Sequence, residues 1–323
     1  MKVLVTGAGG YIGRAVLRDL GAAGHEAVAA VRDPARLPPK WRAQAIAVGD
    51  LGPDTDWSVA LRGVAGVIHL AGPAATEGIP EAGLVRAIVD GSKRLAEAAA
   101  IAGVRRFVFV SSVKAAADLT PVSGLDETAS PAPADAYGRC KLAAERAIVA
   151  AASGDAASGG AGMEVAILRP APVYGPGSGG NLRRMIDFLR SAPPVLPLGI
   201  AGNRRSFLHR DSLCAAILAG LEHPDAAGRT FFVTDGEALS TGDLTRRILQ
   251  AHGRRALLLP VSAAALRVLG RPGRRLGGSS VYDKSALRAV LGWKPVVDPR
   301  AGMLEAVRQT ADPLLSAAAE GQP

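Results

Sequence analysis

Tyr137 and Lys141 stand four residues apart in a segment rich in Ala, Glu and Arg, so a helix there puts the phenol and the ammonium on one face. A phenol ionises near pH 10 in water, and a neighbouring ammonium lowers that value. The pair is therefore a candidate for passing a proton to or from a substrate oxygen. The stretch 106–110 reads as a strand and runs into Ser111-Ser112. The carboxyl end of a central strand is where open α/β sheets bind ligands. From there a serine hydroxyl can hydrogen-bond the oxygen that Tyr137 protonates. The candidate catalytic set is Ser112, Tyr137 and Lys141.

Proton transfer gains redox meaning only beside a hydride carrier, and the first residues offer a seat for one. Lys2-Val3-Leu4-Val5 is an apolar run, then comes Thr6-Gly7-Ala8-Gly9-Gly10-Tyr11-Ile12-Gly13, then a helix-like stretch from Arg14 to Ala23. This order is strand, tight glycine turn, helix. Gly7 permits the sharp turn, Gly10 lets a pyrophosphate approach the backbone, and Gly13 lets the helix pack closely on the strand. Amides and dipole at the helix start hold phosphates. A nicotinamide dinucleotide is the expected cofactor. Gly7, Gly10, Tyr11, Ile12 and Gly13 would hold its phosphates, and Tyr137 and Lys141 its nicotinamide ribose.

The next strand, 27–31, ends in Arg32-Asp33. A carboxylate at this place takes a ribose 2′-hydroxyl, and an arginine takes a 2′-phosphate. Arg32 follows the last strand position directly, which favours NADP(H). Asp33 leaves NAD(H) open, and an ordinary solvated pair is the alternative. Asp50 and Leu51, after a strand at 45–48, are placed to meet the adenine, although a plain turn explains Asp50 nearly as well. Leu70 ends a strand at 67–70, and Ala71 and Gly72 after it are small enough for the chain to pass close to the cofactor, which Leu70, Ala71 and Gly72 would meet. His69, inside that strand, reads as core.

These strands alternate with helical periods, notably 84–102 and 137–152, and a sixth strand falls at 165–168. The alternation specifies an α/β fold, a doubly wound parallel sheet of Rossmann type. A smaller C-terminal substrate-binding lobe follows. The expected division is 1–170 as the dinucleotide-binding domain, with 206–235 returning to it, and 171–205 with 236–323 as the lobe. Prolines 172, 176, 193, 194 and 197 break up the start of the lobe around one helix near 181–190. Strands at 230–234 and 257–259 and a helix at 240–251 follow. The stretch 153–162 reads as a surface loop.

The bulk numbers fit a globular enzyme. The chain has 323 residues, 48% hydrophobic and 21% charged, with 4% aromatic and a net charge of +9. The basic balance comes without aromatic interleaving or any nucleic-acid motif, so anionic small ligands explain it and no nucleic-acid partner is expected. No apolar stretch is long enough to span a membrane. Met1-Lys2 runs straight into a strand, and the two cysteines make no disulfide framework. A cytoplasmic protein is the expectation. No metal-ligand spacing stands out.

The glycine loop, Asp50-Leu51, His69–Gly72, Ser111-Ser112, Tyr137–Lys141, Arg169–Gly177, Arg205–Leu213 and Leu291-Gly292-Trp293 together resemble the extended short-chain dehydrogenases/reductases of the NAD-dependent epimerase/dehydratase group. The resemblance covers nearly the whole chain. It implies that Ser112, Tyr137 and Lys141 form the triad and that Pro170 lies against the cofactor. It implies a nucleoside-diphosphate sugar as substrate, held by Asn181, Leu182, Arg205 and Arg274 or Arg275. It also implies a homodimer through the helices at 84–102 and 137–152. Within the group, 203–207 and 233–241 look most similar to bacterial polysaccharide enzymes that reduce UDP-4-keto-6-deoxy-N-acetylhexosamines, with UDP-hexose 4-epimerases the related alternative.

Several residues depart from the pattern. Ile88 replaces a frequent Asn, Ser206 and Ser212 replace acids, and Arg210 replaces a Val. Asp126-Glu127 lies well before Tyr137, which argues against a dehydratase. Three functions are carried forward. The first is a nucleotide-sugar C4 oxidoreductase, reductase favoured over epimerase. The second is a reductase of another carbonyl compound. The third is a cofactor-sensing protein without turnover, which would not need Tyr137 and Lys141.

Overall fold

The computed structural model describes residues 1–73, 78–153, 162–266, 268 and 270–309. The stretch read as a surface loop at 153–162 lies, apart from its two ends, outside the described residues. In chain order the strands are β1 (Lys2–Thr6), β2 (Glu26–Val31), β3 (Ala45–Ala47), β4 (Gly66–His69), β5 (Arg106–Val110), β6 (Glu164–Pro170), β7 (Val173–Tyr174), β8 (Val195–Gly199), β9 (Leu208–His209), β10 (Arg229–Val233) and β11 (Leu257–Pro260). The helices are α1 (Tyr11–Ala22), α2 (Pro39–Arg42), α3 (Glu81–Leu84), α4 (Gly91–Ile101), α5 (Ala136–Ala152), α6 (Gly180–Arg190), α7 (Arg210–Glu222), α8 (Thr241–Ala251), α9 (Ala263–Leu266), α10 (Gly270–Gly277), α11 (Ser285–Leu291) and α12 (Pro299–Arg308).

Seven strands form one sheet in the order β3-β2-β1-β4-β5-β6-β10. Every pairing in it is parallel. Strands buried on both faces explain the near-continuous apolar runs. Side chains alternate across the sheet. Val3, Val5, Ala29, Val108 and Leu168 pack beneath α1, α7 and α11. Leu4, Val28, Ala30, Phe107, Phe109 and Ile167 pack beneath α4, α5 and Trp57. The strand order reverses between β1 and β4, and in such sheets the crevice outside that reversal receives the ligand. β10 comes from late in the chain and joins the sheet beside β6.

A separate apolar cluster of Ile186, Leu189, Leu244, Ile248, Met303 and Val307 joins α6, α8 and α12. The two-stranded sheet β8-β11 lies with it. β8 was not legible in the sequence, because Pro193-Pro194 and the internal Pro197 read as breakers; an edge strand in a two-stranded sheet tolerates them.

The expected helix at 84–102 is interrupted. It starts at Glu81 and passes through a π-helical turn, Val85–Asp90, before α4. Ile88 is the buried residue of that turn. A π turn shifts the register of the helix face, which a search for period 3.6 does not register.

Candidate active site

The carboxyl ends of β1 and β4 meet at the glycine loop. Gly7 has φ of +68°, and a Cβ there would lie 3.0 Å from the Ala71 amide nitrogen. A Cβ on Gly13 would come within 2.2 Å of the Gly7 carbonyl, so α1 can lie this close to the loop only with glycine at that position. Gly10 is the N-cap of α1, and no side chain caps the helix or places an acid in its first turn. The first-turn amides of α1, Tyr11, Ile12 and Gly13, are thus left uncapped by any side chain, as a bound pyrophosphate needs. These residues fit a dinucleotide.

Behind the cradle, polar groups fix the two strand ends together. Leu70 and Ala71 amides donate to Thr6 Oγ1 at 3.2 and 3.1 Å. Thr6 Oγ1 contacts His69 Nδ1 at 2.6 Å, and His69 Nε2 contacts Ser92 Oγ at 2.8 Å. Ser92 donates its own proton to the Ile88 carbonyl. Ser92 therefore accepts from Nε2–H, and Thr6 donates to Nδ1, which sets the ring as the neutral Nε2–H tautomer. Burial pushes the His69 pKa down to about 3, with Lys141 adding to the effect. His69 is wholly buried, as expected of a core residue.

At the adenosine end, Arg32 is exposed and its Nη1 lies 3.4 Å from Asp50 Oδ1. Asp33 is turned to local use: its Oδ1 accepts the Ala35 amide at 2.9 Å and caps the short turn Pro34–Arg36. Asp50 also accepts Thr55 Oγ1 at its carbonyl, at 2.9 Å. Leu51 packs where a Cβ on Gly91 would lie, 2.6 Å away. Gly72 is extended into the left-handed half of φ space at +144°.

Ser112, Tyr137 and Lys141 come from β5's end and α5. Asp135 caps α5 by accepting the Gly138 amide at 2.8 Å, which sets Tyr137 in the first turn and Lys141 in the second. Ser112 Oγ accepts the Lys114 amide at 3.2 Å, which leaves its own proton to donate outward. Lys141 is buried and donates to the Val110 carbonyl at 3.1 Å. Its Nζ stands 5.9 Å from the Tyr137 ring centroid and 4.7 Å from that of Phe109. Burial lowers the Lys141 pKa to about 8, against the opposing pull of Glu145.

One expectation is corrected. The phenol of Tyr137 is pushed up to about 12, chiefly by burial and also by the Asp135 carboxylate, rather than down by Lys141. At 5.9 Å from the ring, with a carbonyl already engaged, Lys141 does not outweigh the loss of water.

Sequence reasoning missed the residues that brace this site. Glu145, one turn beyond Lys141, accepts Arg169 Nε at 2.9 Å and Nη2 at 2.6 Å, and it accepts the Ser111 hydroxyl. Lys114 reaches Asp135 Oδ2 at 2.6 Å. The available signal was spacing: Glu145 continues the i, i+4 stripe of Tyr137 and Lys141, and Lys114 lies two residues after Ser112.

The substrate candidates are spread along the later chain. Arg205 is half-buried; its Nη2 donates to the Gly278 carbonyl at 3.4 Å, while its Nε is buried without a partner. Burial holds its guanidinium below its ordinary value. Arg274 is exposed on α10, and its carbonyl accepts the Gly278 amide at 2.8 Å, so the structure brings Arg205 and Arg274 to the same turn. Asn181 is exposed on the first turn of α6, its side chain making no hydrogen bond among the described residues, and Leu182 packs on the cluster around α6 and α8. Pro170 ends β6 opposite Val233.

The departures also find places. Arg210 is buried with its guanidinium 4.9 Å over the Tyr11 ring and Nε 3.2 Å from Asp211. Ser206 Oγ accepts the Tyr282 amide at 3.3 Å. Glu127 accepts the Phe232 amide at 2.8 Å and so ties its loop to β10.

No group of metal-ligating side chains occurs among the described residues, and none of their helices is long and apolar enough to cross a membrane.

With the geometry in view, comparison with known proteins places the chain. It is 33% identical over 329 residues to a UDP-glucose 4-epimerase of Vibrio cholerae, covering 98% of this chain and 96% of the relative. It is also 33% identical over 306 residues to a 3-diazoavenalumate denitrifying reductase of a Streptomyces species, covering 91% and 96%. A solved structure of MoeE5 in complex with UDP-glucuronic acid and NAD superposes with a TM-score of 0.78 at 29% identity, covering 96% of this chain and 99% of that one. The model of the NAD dependent epimerase/dehydratase family matches residues 3–233, from the first strand through β10. That span holds the glycine cradle, the serine after β5 and the tyrosine-lysine helix in one frame, and the chain belongs to the NAD dependent epimerase/dehydratase family, enzymes of the extended short-chain dehydrogenase/reductase type.

Proposed function

We propose that the protein moves a hydride between a nicotinamide dinucleotide and C4 of a UDP-linked sugar, reducing a UDP-4-keto-6-deoxy-N-acetylhexosamine for polysaccharide assembly. The observation that supports this reading is Lys141, bound to the Val110 carbonyl two residues before Ser112, with its Nζ 5.9 Å from the Tyr137 ring. The half-buried Arg205 supports it: a guanidinium whose buried Nε has no hydrogen-bond partner among the described residues suits a diphosphate. Asn181, Leu182 and Arg274 are the remaining proposed sugar-nucleotide contacts.

The nicotinamide supplies the hydride when bound. The chain's own residues would do the rest. Ser112, with its acceptor side taken by the Lys114 amide, donates to the substrate oxygen. Tyr137 gives that oxygen its proton in reduction or takes it in oxidation. Lys141 is protonated at neutral pH, because its pKa of about 8 lies above it, and it stabilises the developing phenolate. Gly7, Gly10, Tyr11, Ile12 and Gly13 hold the phosphates, Asp50, Leu51, Leu70, Ala71, Gly72 and Pro170 line the cofactor, and Arg32 takes a 2′-phosphate.

Exchangeable NADP(H) is favoured because Asp33 is engaged as a cap while Arg32 stays exposed at the strand end. The second reading is a UDP-hexose 4-epimerase with retained NAD, favoured by the full-length similarity to the Vibrio cholerae enzyme. A homodimer would form through α4 and α5, whose outer surfaces leave Ile101 and Val149 exposed.

The test is oxidation of NADPH and NADH by the full chain, with the 4-keto sugar generated by a UDP-sugar 4,6-dehydratase. Oxidation that falls about 100-fold or more in Tyr137→Phe supports the reductase. Conversion of UDP-glucose or UDP-N-acetylglucosamine to the galacto isomer without cofactor consumption supports the epimerase. Absence of both reactions would overturn the sugar assignment.

A further inference from the structure

Lys114 lies outside the triad, yet each of its polar groups touches the machinery around it. Its amide donates to Ser112 Oγ at 3.2 Å. Its carbonyl is pressed against α5, 2.4 Å from where a Cβ on Gly138 would stand, so the helix can approach only with glycine there. Its ammonium donates to Asp135 Oδ2 at 2.6 Å and lies 3.8 Å from Asp118 Oδ1. Asp135 Oδ1 in turn accepts the Gly138 amide and caps the helix that carries Tyr137. Lys114 Nζ is 5.9 Å from the Tyr137 ring centroid, the same distance as Lys141 Nζ. The ring centroid thus has two ammonium groups at equal range.

Among the described residues, Arg139 and Lys141 lie on its own helix and Asp135 caps it, Lys114 and Asp118 lie on the loop after β5, and Glu81 lies where α3 meets α5, paired with Arg139 at 2.8 Å. Of these acids, Asp135 is the one whose charge acts against the phenolate. A lysine in contact with that carboxylate opposes its field at the ring.

We propose that Lys114 is a positioning residue for proton transfer at Tyr137: its ion pair with Asp135 neutralises the one carboxylate that opposes the phenolate and holds the cap of the catalytic helix in place. This rests on Tyr137 as the acid/base of the proposed reaction, but its electrostatic content is measurable without turnover.

The experiment is 19F NMR titration of the full chain with its tyrosines replaced by 3,5-difluorotyrosine, whose ring fluorines lower the pKa of the phenol into the range where a lysine ammonium is still charged. The sequence has four tyrosines, and Tyr137→Phe assigns the relevant signal. Lys114→Gln is expected to raise the pH at which Tyr137 ionises by about half a unit or more. Asp135→Asn, which still caps a helix, is expected to lower it. Lys114→Gln in the Asp135→Asn background is expected to have less than half its effect alone, and Lys114→Arg to match the wild type. Unshifted signals from Tyr11, Tyr174 and Tyr282 verify the fold. No rise in Lys114→Gln, or an equal rise with Asp135 neutralised, overturns the proposal. If the titration moves as expected while the pH limb of turnover does not, the assignment of Tyr137 as acid/base fails and the role of Lys114 at the phenol stands.

Discussion

Glu145 on α5 and Arg169 on β6 form a two-pronged ion pair at 2.9 and 2.6 Å, with side chains only 4% and 7% exposed. The Ser111 hydroxyl completes the carboxylate's partners. The pair joins the catalytic helix to the strand whose end leads to Pro170. Removing one partner leaves the other charge buried, which typically costs about 3–5 kcal/mol. Glu145→Gln is therefore expected to lower the unfolding free energy by roughly that amount. A Glu145→Leu/Arg169→Met double variant should lose less than the single change. Denaturant unfolding monitored by circular dichroism checks both, and additive losses would show that the two side chains act independently.

Gly13→Ala puts a methyl group 2.2 Å from the Gly7 carbonyl. Neither atom belongs to a flexible side chain, so α1 must move off the loop. The expected result is loss of dinucleotide binding, by calorimetric titration, with a stability loss of a few kcal/mol. Gly21→Ala, on the same helix with no atom within 4 Å of the added Cβ, is the matched control and should bind normally.

His69 carries a pH dependence of definite sign. Its folded pKa of about 3 lies below the ordinary value near 6.5. As pH falls, the unfolded chain takes up this proton first. The contribution is fully present above about pH 6.5 and is lost toward pH 3, at up to about 1.4 kcal/mol per unit. Asp235 acts oppositely: burial raises its pKa to about 6, so it favours the folded chain as pH falls from 6 through its ordinary value of 3.8. Thermal melting of the wild type against His69→Gln between pH 7 and 4.5 isolates the histidine. The gap between the two should narrow as the pH drops, and a constant gap would contradict the assignment of a neutral ring.

Arg32→Ala should weaken NADPH by about tenfold or more while leaving NADH within about twofold, since a charge-assisted bond contributes about 1.5–3 kcal/mol. Asp33→Asn still accepts the Ala35 amide and should change neither affinity appreciably. Fluorescence titration with both cofactors reads the ratio. Equal loss for both would mean that Arg32 serves its contact with Asp50 rather than a 2′-phosphate.

Much of this molecule was written locally. The glycine spacing, the apolar strands and the i, i+4 pair of Tyr137 and Lys141 specify their own geometry, because turn, strand and helix are short-range matters of φ, period and capping. The parallel sheet followed from strands alternating with helices. The tertiary structure decided what depends on contacts distant in sequence. It joined Arg169 to Glu145, brought Arg205 beside the α10 segment, and placed Lys114 against Asp135. It also set the Tyr137 phenol above its ordinary value, since burial is a property of the packed chain and no neighbour in sequence reveals it. The π turn around Ile88 and the proline-bearing β8 belong to the same class, being stabilised by what packs against them rather than by their own residues.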